Sequence, residues 1–157
     1  MQLKTSFTHK NILALIKKEF KINFYGDHGV EHWERVFKNT QILAQHYEVE
    51  SKVFELFSLL HDSKRENEYV DERHGPRAAA FVKKLINEEL IKLSKEDEQR
   101  LIFTCANHTV TDKDNLLYND IIVQICLDSD RLDIGRVGIP PEARYMATDY
   151  AKSLTLS

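Results

Sequence analysis

An almost unbroken apolar octet, Val53 to Leu60, runs directly into the pair His61-Asp62, and a charged stretch from Ser63 to Glu68 follows. A helix that is apolar all round has to be buried, so whatever ends it starts from the interior. Leaving an ionisable group there without a partner costs roughly several kcal/mol, and buried charges are therefore paired or bound to metal. Either the helix end dips into solvent and Asp62 is a polar stop, or other groups converge on the pair.

The remainder of the sequence points to helices. Five glycines and three prolines offer little of the turn chemistry an all-β fold needs. Ile12, Leu13, Ile16 and Phe20 form one stripe at helical spacing, with Thr8 as its expected cap. Trp33, Val36, Phe37, Thr40, Leu43, Ala44 and Tyr47 form the clearest one, with Asp27 and Glu31 at its start, where carboxylates suit the helix dipole. A helix is expected to open at His74-Gly75-Pro76, and Ser94 with Asp97 resembles a capping arrangement for the next. Ile121 to Leu127 is apolar on all sides and is expected to be central. Gly135, Gly138 and Pro140-Pro141 break the chain before a last amphipathic helix carrying Ala143, Met146, Tyr150 and Leu154 on one face. The expectation is an all-α, single-domain multi-helix bundle over residues 1–157.

Composition narrows the function classes. A formal net charge of -3 gives no electrostatic case for a nucleic-acid polymer or a membrane surface. No apolar stretch approaches the roughly 18 residues of a membrane span. The first residues lack the apolar core of a signal peptide, and Cys105 and Cys126 fall inside helical patterns as small hydrophobes, so a cytoplasmic address is expected. Nothing in the sequence fixes the oligomeric state.

Ionisable residues then appear where the period asks for apolar ones. His32 lies one turn before Val36; His61 and Asp62 end the apolar octet; His108 shares the face of Leu101 and Cys105; Asp128 and Asp130 continue the central helix. Each alone fits a hydrogen-bonded core residue, and His9, His28 and His46 are left as such or at the surface. Six on four helices suit a divalent transition metal, because imidazole and carboxylate together make its ligand set.

The order of these residues resembles the HD-domain metal-dependent phosphohydrolases. His32-Trp-Glu-Arg35-Val36 is similar to the first element of that family, Leu59-Leu60-His61-Asp62 to the second, and Ser129-Asp130-Arg131-Leu132 to the third. The resemblance covers about His28 to Ile139 and implies a bundle of the HD type. It also implies that His32, His61, Asp62 and Asp130 hold one divalent ion (Mn, Fe, Ni, Zn or Mg), with Asp128 the competitor for the last place. His74 and His108 follow in the right order for a second ion bridged by Asp62, or for a border of the substrate site, polarising a phosphoryl oxygen or passing a proton.

An ion so held lowers the pKa of bound water from about 15.7 towards 7, and the hydroxide attacks phosphorus. Asp62, Arg65, Glu66 and His108 are the expected catalytic groups, and Lys64, Arg65, Arg131 and Arg136 the cations for a small phosphorylated substrate. A nucleotide or another phosphorylated metabolite fits, although no glycine-rich phosphate loop is present. Two other functions use the same residues: a non-catalytic metal or nucleotide sensor, and a di-iron oxygenase.

Overall fold

A computed structural model describes residues 6–155. Among the described residues there are seven α-helices and no strand: α1 Lys10–Glu19, α2 Val30–Tyr47, α3 Val53–Leu60, α4 His74–Asn87, α5 Lys95–Asn107, α6 Ile121–Leu132 and α7 Asp149–Leu154. Short 3-10 turns occupy Leu116–Asn119, Ile134–Val137 and Ala143–Tyr145. No described helix is long and apolar enough to cross a membrane. Every residue of α3 is buried, as its unbroken apolar composition demands, and α2, α5 and α6 all pack around it.

Side-chain caps set the starts of α5 and α6. Ser94 Oγ accepts from Asp97 N at the start of α5, and Asp120 Oδ1 accepts from Ile122 N and Val123 N at the start of α6. The start of α2 is held by packing instead. Trp33 meets Phe20 and Phe24 edge-on and donates from Nε1 to the His28 carbonyl. Gly29 is required there, since a Cβ at that position would lie 1.9 Å from the Phe24 carbonyl oxygen.

Two helix ends differ from expectation. Thr8 does not cap α1; its N–H and hydroxyl, with the His9 N–H, donate to the buried carboxylate of Glu55. A carboxylate brought from α3 satisfies more donors than a neighbouring threonine can. The last amphipathic segment is not one helix. It breaks into a 3-10 turn and α7, because Asp128 accepts from Ala147 N, Thr148 N and Thr148 Oγ1 and pulls the connection inward. Thr148 Oγ1 then caps α7 by accepting from Ala151 N.

Candidate metal centre

Four helices deliver imidazoles to the end of α3. His32 enters from the first turn of α2, His61 follows α3 directly, His74 opens α4 and His108 closes α5. All four are buried, and so is Asp62. Gly75 permits the meeting of His74 and His108: a Cβ there would stand 2.7 Å from the Ala106 carbonyl oxygen, so only glycine lets α4 start this close to α5.

Each ring is oriented by an acceptor on its Nδ1 side. His32 Nδ1 donates to Asp133 Oδ2 at 2.7 Å, His61 Nδ1 to the Phe57 and Ser58 carbonyls at 3.0 Å, and His108 Nδ1 to the Cys105 carbonyl at 2.8 Å. His74 Nδ1 donates to the Asp71 carbonyl. With the proton on Nδ1, every ring turns its Nε2 lone pair toward the carboxylates, the arrangement in which outer groups fix the tautomer of metal-binding histidines. Asp133, which also takes Arg35 Nε at 2.8 Å, was not singled out in the sequence. It lies one turn after Ser129-Asp130, and that spacing was its only signal.

The Asp62 carboxylate divides the imidazoles into two pairs. Its Oδ2 lies 3.3 Å from His32 Nε2 and 3.4 Å from His61 Nε2; its Oδ1 lies 3.2 Å from His74 Nε2 and 3.3 Å from His108 Nε2. Asp130 Oδ1 joins the first pair, 3.1 Å from His32 Nε2 and 3.3 Å from His61 Nε2. Donor atoms held about 2.0–2.1 Å from one transition metal sit about 3.0–3.4 Å from each other, so these separations are those of a ligand shell. The chemistry of the set agrees. Asp62 Oδ2 and Asp130 Oδ1 are buried without a hydrogen-bond partner among the described residues, and they face nitrogens that also offer lone pairs. Electron-rich atoms packed this closely need positive charge among them. Two groups could hold divalent ions: His32, His61, Asp62 and Asp130 in one, Asp62, His74 and His108 in the other.

Protons can supply part of that charge. Burial opposes the charged form of His32, but Asp130, Asp133 and Asp62 around it push its pKa up to about 10. Burial likewise opposes ionised Asp62, yet His61, His108, His32 and His74 hold it well below the usual carboxylate range. An ion would compete with those protons, so its binding releases them.

The flanking residues expected in the sequence divide sharply. Asp128 spends both oxygens on Ala147 and Thr148, and Asp130 is the aspartate of this helix that reaches the imidazoles. Arg65 is buried with Nη1 3.2 Å from His74 Nε2, while its Nε and Nη2 donate to the Asn67 and Tyr69 carbonyls and hold that loop over the site. Lys64 and Glu66 are not brought to the cluster. Lys64 pairs with Glu19 at 3.0 Å and lies over the Phe81 ring, and Glu66 pairs with Lys21 and Arg77. Chain proximity to His61-Asp62 was the case for both, and the turn after α3 sends them outward. Arg131 donates to the Tyr145 and Val110 carbonyls. Arg136 donates from Nη1 to the Asp133 carbonyl, and its buried Nε has no partner among the described residues.

A cavity of about 520 Å³ opens on His108 and Asp130, with Arg131 and Arg136 on its wall and Ile134, Ile139, Pro140, Tyr145 and Met146 as apolar lining. His28, set aside in the sequence as ordinary, stands beside Asp62. It is 7% exposed, its Nδ1 stands 4.0 Å from Asp62 Oδ2, and burial followed by the Arg65 charge lowers its pKa.

A solved structure shares this architecture. It is a crystal structure from an uncultured Thermotogales bacterium, described as a predicted HD superfamily hydrolase. The two align with a TM-score of 0.66 and 24% identity, over 93% of this chain and 82% of the other. The fold is the HD-domain fold. No family model matches the sequence, and no curated protein matches it either. The bundle expected from the resemblance is therefore present, and the buried His/Asp cluster that the HD fold carries here is compatible with a divalent metal.

Proposed function

We propose that this protein is a metal-dependent phosphohydrolase that cleaves a phosphate ester or anhydride of a nucleotide or another small phosphorylated metabolite. One observation supports this above the rest: the Asp62 carboxylate is shared between two pairs of imidazole lone pairs, and the shared cluster opens onto a cavity that also contains arginine. Asp130 completes the ligands on the His32–His61 side, and His74 and His108 supply those on the other.

A divalent ion held there would supply Lewis acidity toward a phosphoryl oxygen and would lower the pKa of a water. The chain's own groups do the binding and orienting. Arg136 Nε, buried without a partner among the described residues, offers a charged donor to a phosphoryl oxygen. Arg65 adds positive charge beside His74 without being free to swing, since two loop carbonyls hold it. Ile134, Ile139, Pro140 and Tyr145 would shelter the organic part of the substrate and exclude water from it.

The experiment is metal analysis of freshly purified protein, followed by phosphate release from a panel of nucleotides and phosphorylated metabolites with Mn²⁺ added. Phosphate release that depends on Mn²⁺ and disappears in Arg136→Ala with metal content unchanged supports the proposal. Protein that retains no stoichiometric divalent metal would sink it. A second reading draws on the same shared carboxylate: two half-sites also suit a di-iron oxygenase. Iron-loaded protein that consumes oxygen, with no phosphate released from any substrate, would favour that alternative.

A further inference from the structure

We propose that His28 belongs to this site as a positioning residue, its Nδ1 lone pair accepting a hydrogen bond from the water that the His32–His61–Asp62–Asp130 half presents to substrate. His28 Nε2 lies 3.0 Å from the Glu68 carbonyl oxygen. A carbonyl only accepts, so Nε2 carries the proton and Nδ1 is left with its lone pair. That Nδ1 is buried and has no hydrogen-bond partner among the described residues, in a residue only 7% exposed. Buried polar atoms are seldom left unsatisfied, and one that is points to a group it meets during function.

The direction is informative. Nδ1 stands 4.0 Å from Asp62 Oδ2, too far for a direct hydrogen bond and suited to one water between them. Asp62 Oδ2 itself has no hydrogen-bond partner among the described residues and belongs to the His32–His61 side of the carboxylate. The ring cannot drift from this position. Glu68 holds one edge, Trp33 Nε1 holds the backbone carbonyl at 3.0 Å, and Gly29 locks the next residue against Phe24. In contrast to the four cluster imidazoles, which present Nε2, this one presents Nδ1, so His28 stands outside the ligand set and beside it.

The inference rests on the phosphohydrolase reading, and two isosteric variants test it separately. Asparagine places its side-chain oxygen near the position of Nδ1 and loses the donor to Glu68. Glutamine places its side-chain nitrogen near Nε2 and loses the acceptor. Wild type, His28→Gln and His28→Asn are compared by Mn²⁺ affinity, by water-proton relaxation of the Mn²⁺-loaded protein, and by kcat and KM with p-nitrophenyl phosphate. Glutamine should lower kcat about 10–100-fold and alter the water relaxation, with KM little changed, and asparagine should recover about tenfold of that loss. A purely structural His28 gives the reverse order: glutamine behaves as wild type and asparagine is the damaged protein. That outcome overturns the proposal.

Failure of wild type to bind Mn²⁺ overturns both the site and this role. Normal Mn²⁺ binding with the reversed order removes His28 alone. A measurement on wild type needs no variant to fold. In protein labelled with ¹⁵N-histidine and loaded with Zn²⁺, His28 should carry its proton on Nε2 and keep Nδ1 unprotonated and unligated. A proton on Nδ1, or direct ligation of Zn²⁺ by Nδ1, overturns the assignment as well.

Discussion

Helix α3 carries a buried carboxylate near each end, and the two have opposite surroundings. Glu55, in the first turn, accepts from the Thr8 and His9 backbone N–H groups and the Thr8 hydroxyl, and pairs with the His9 ring. Every one of those contacts is a donor, so the carboxylate is satisfied locally and ties the segment before α1 to α3. Asp62, just past the last turn, faces four imidazoles that have already given their Nδ1 protons to other acceptors. Among the described residues its Oδ2 has no hydrogen-bond partner. Both acids are desolvated; what separates a structural carboxylate from a candidate metal ligand is whether the neighbours bring protons or lone pairs.

The largest test removes the unsatisfied end. His61→Ala with Asp62→Ala should abolish stoichiometric metal retention while the helical circular dichroism of the protein persists. Metal present at about a thousand times its dissociation constant stabilises the fold by about 4 kcal/mol, so a chelator should lower the melting temperature of wild type and leave the double variant unmoved. Unchanged metal content in the variant would contradict the site.

Removing the satisfied end should do the opposite. Glu55→Gln replaces charge-assisted hydrogen bonds with weaker ones and should cost about 1–3 kcal/mol in urea unfolding, with metal affinity unaltered. A loss of metal in this variant would show that the two ends are not independent. A third comparison lies within α6. Asp128→Asn weakens the tie to Ala147 and Thr148 and should cost about 1 kcal/mol with metal retained. Asp130→Asn should weaken metal binding with little change in the stability of the metal-free protein. Exchange of these two phenotypes would reverse the ligand assignment.

The smallest effect is in acid. Burial opposes ionised Glu55, but the His9 ring and the Thr8 and His9 donors outweigh it and hold its pKa below the ordinary value of 4.5. A carboxyl whose folded pKa is depressed contributes stability that is fully present above the unfolded pKa and is lost as pH falls through the folded one. Wild type should therefore lose an increment of stability below about pH 4.5 that Glu55→Gln lacks. Parallel stability curves for the two proteins between pH 6 and 3 would remove Glu55 from the acid response.

Much of the bundle was legible from period alone. The octet at Val53 to Leu60, the start of α4 at His74 and the Ser94 cap of α5 appear where the residues put them, because those signals are local. The last amphipathic pattern failed for an equally definite reason: a distant carboxylate, Asp128, offers Ala147 and Thr148 better partners than helical continuation does. His28 was passed over because a lone histidine before a helix has no pattern, and its unpartnered nitrogen exists only once the Glu68 loop has folded against it. Lys64 and Glu66 were drawn toward the site by sequence adjacency, and a single turn sends both to other partners.

The sequence by itself determined that the chain is helical, that α3 is interior, and that imidazoles and carboxylates fall on faces that must be buried, since spacing and polarity are properties of short segments. Only the tertiary structure decided which of those groups share lone pairs and which share protons. Asp130 was separated from Asp128, and Asp62 from Glu55, by what distant segments bring to within hydrogen-bonding reach, and no local pattern records the direction in which a folded side chain points.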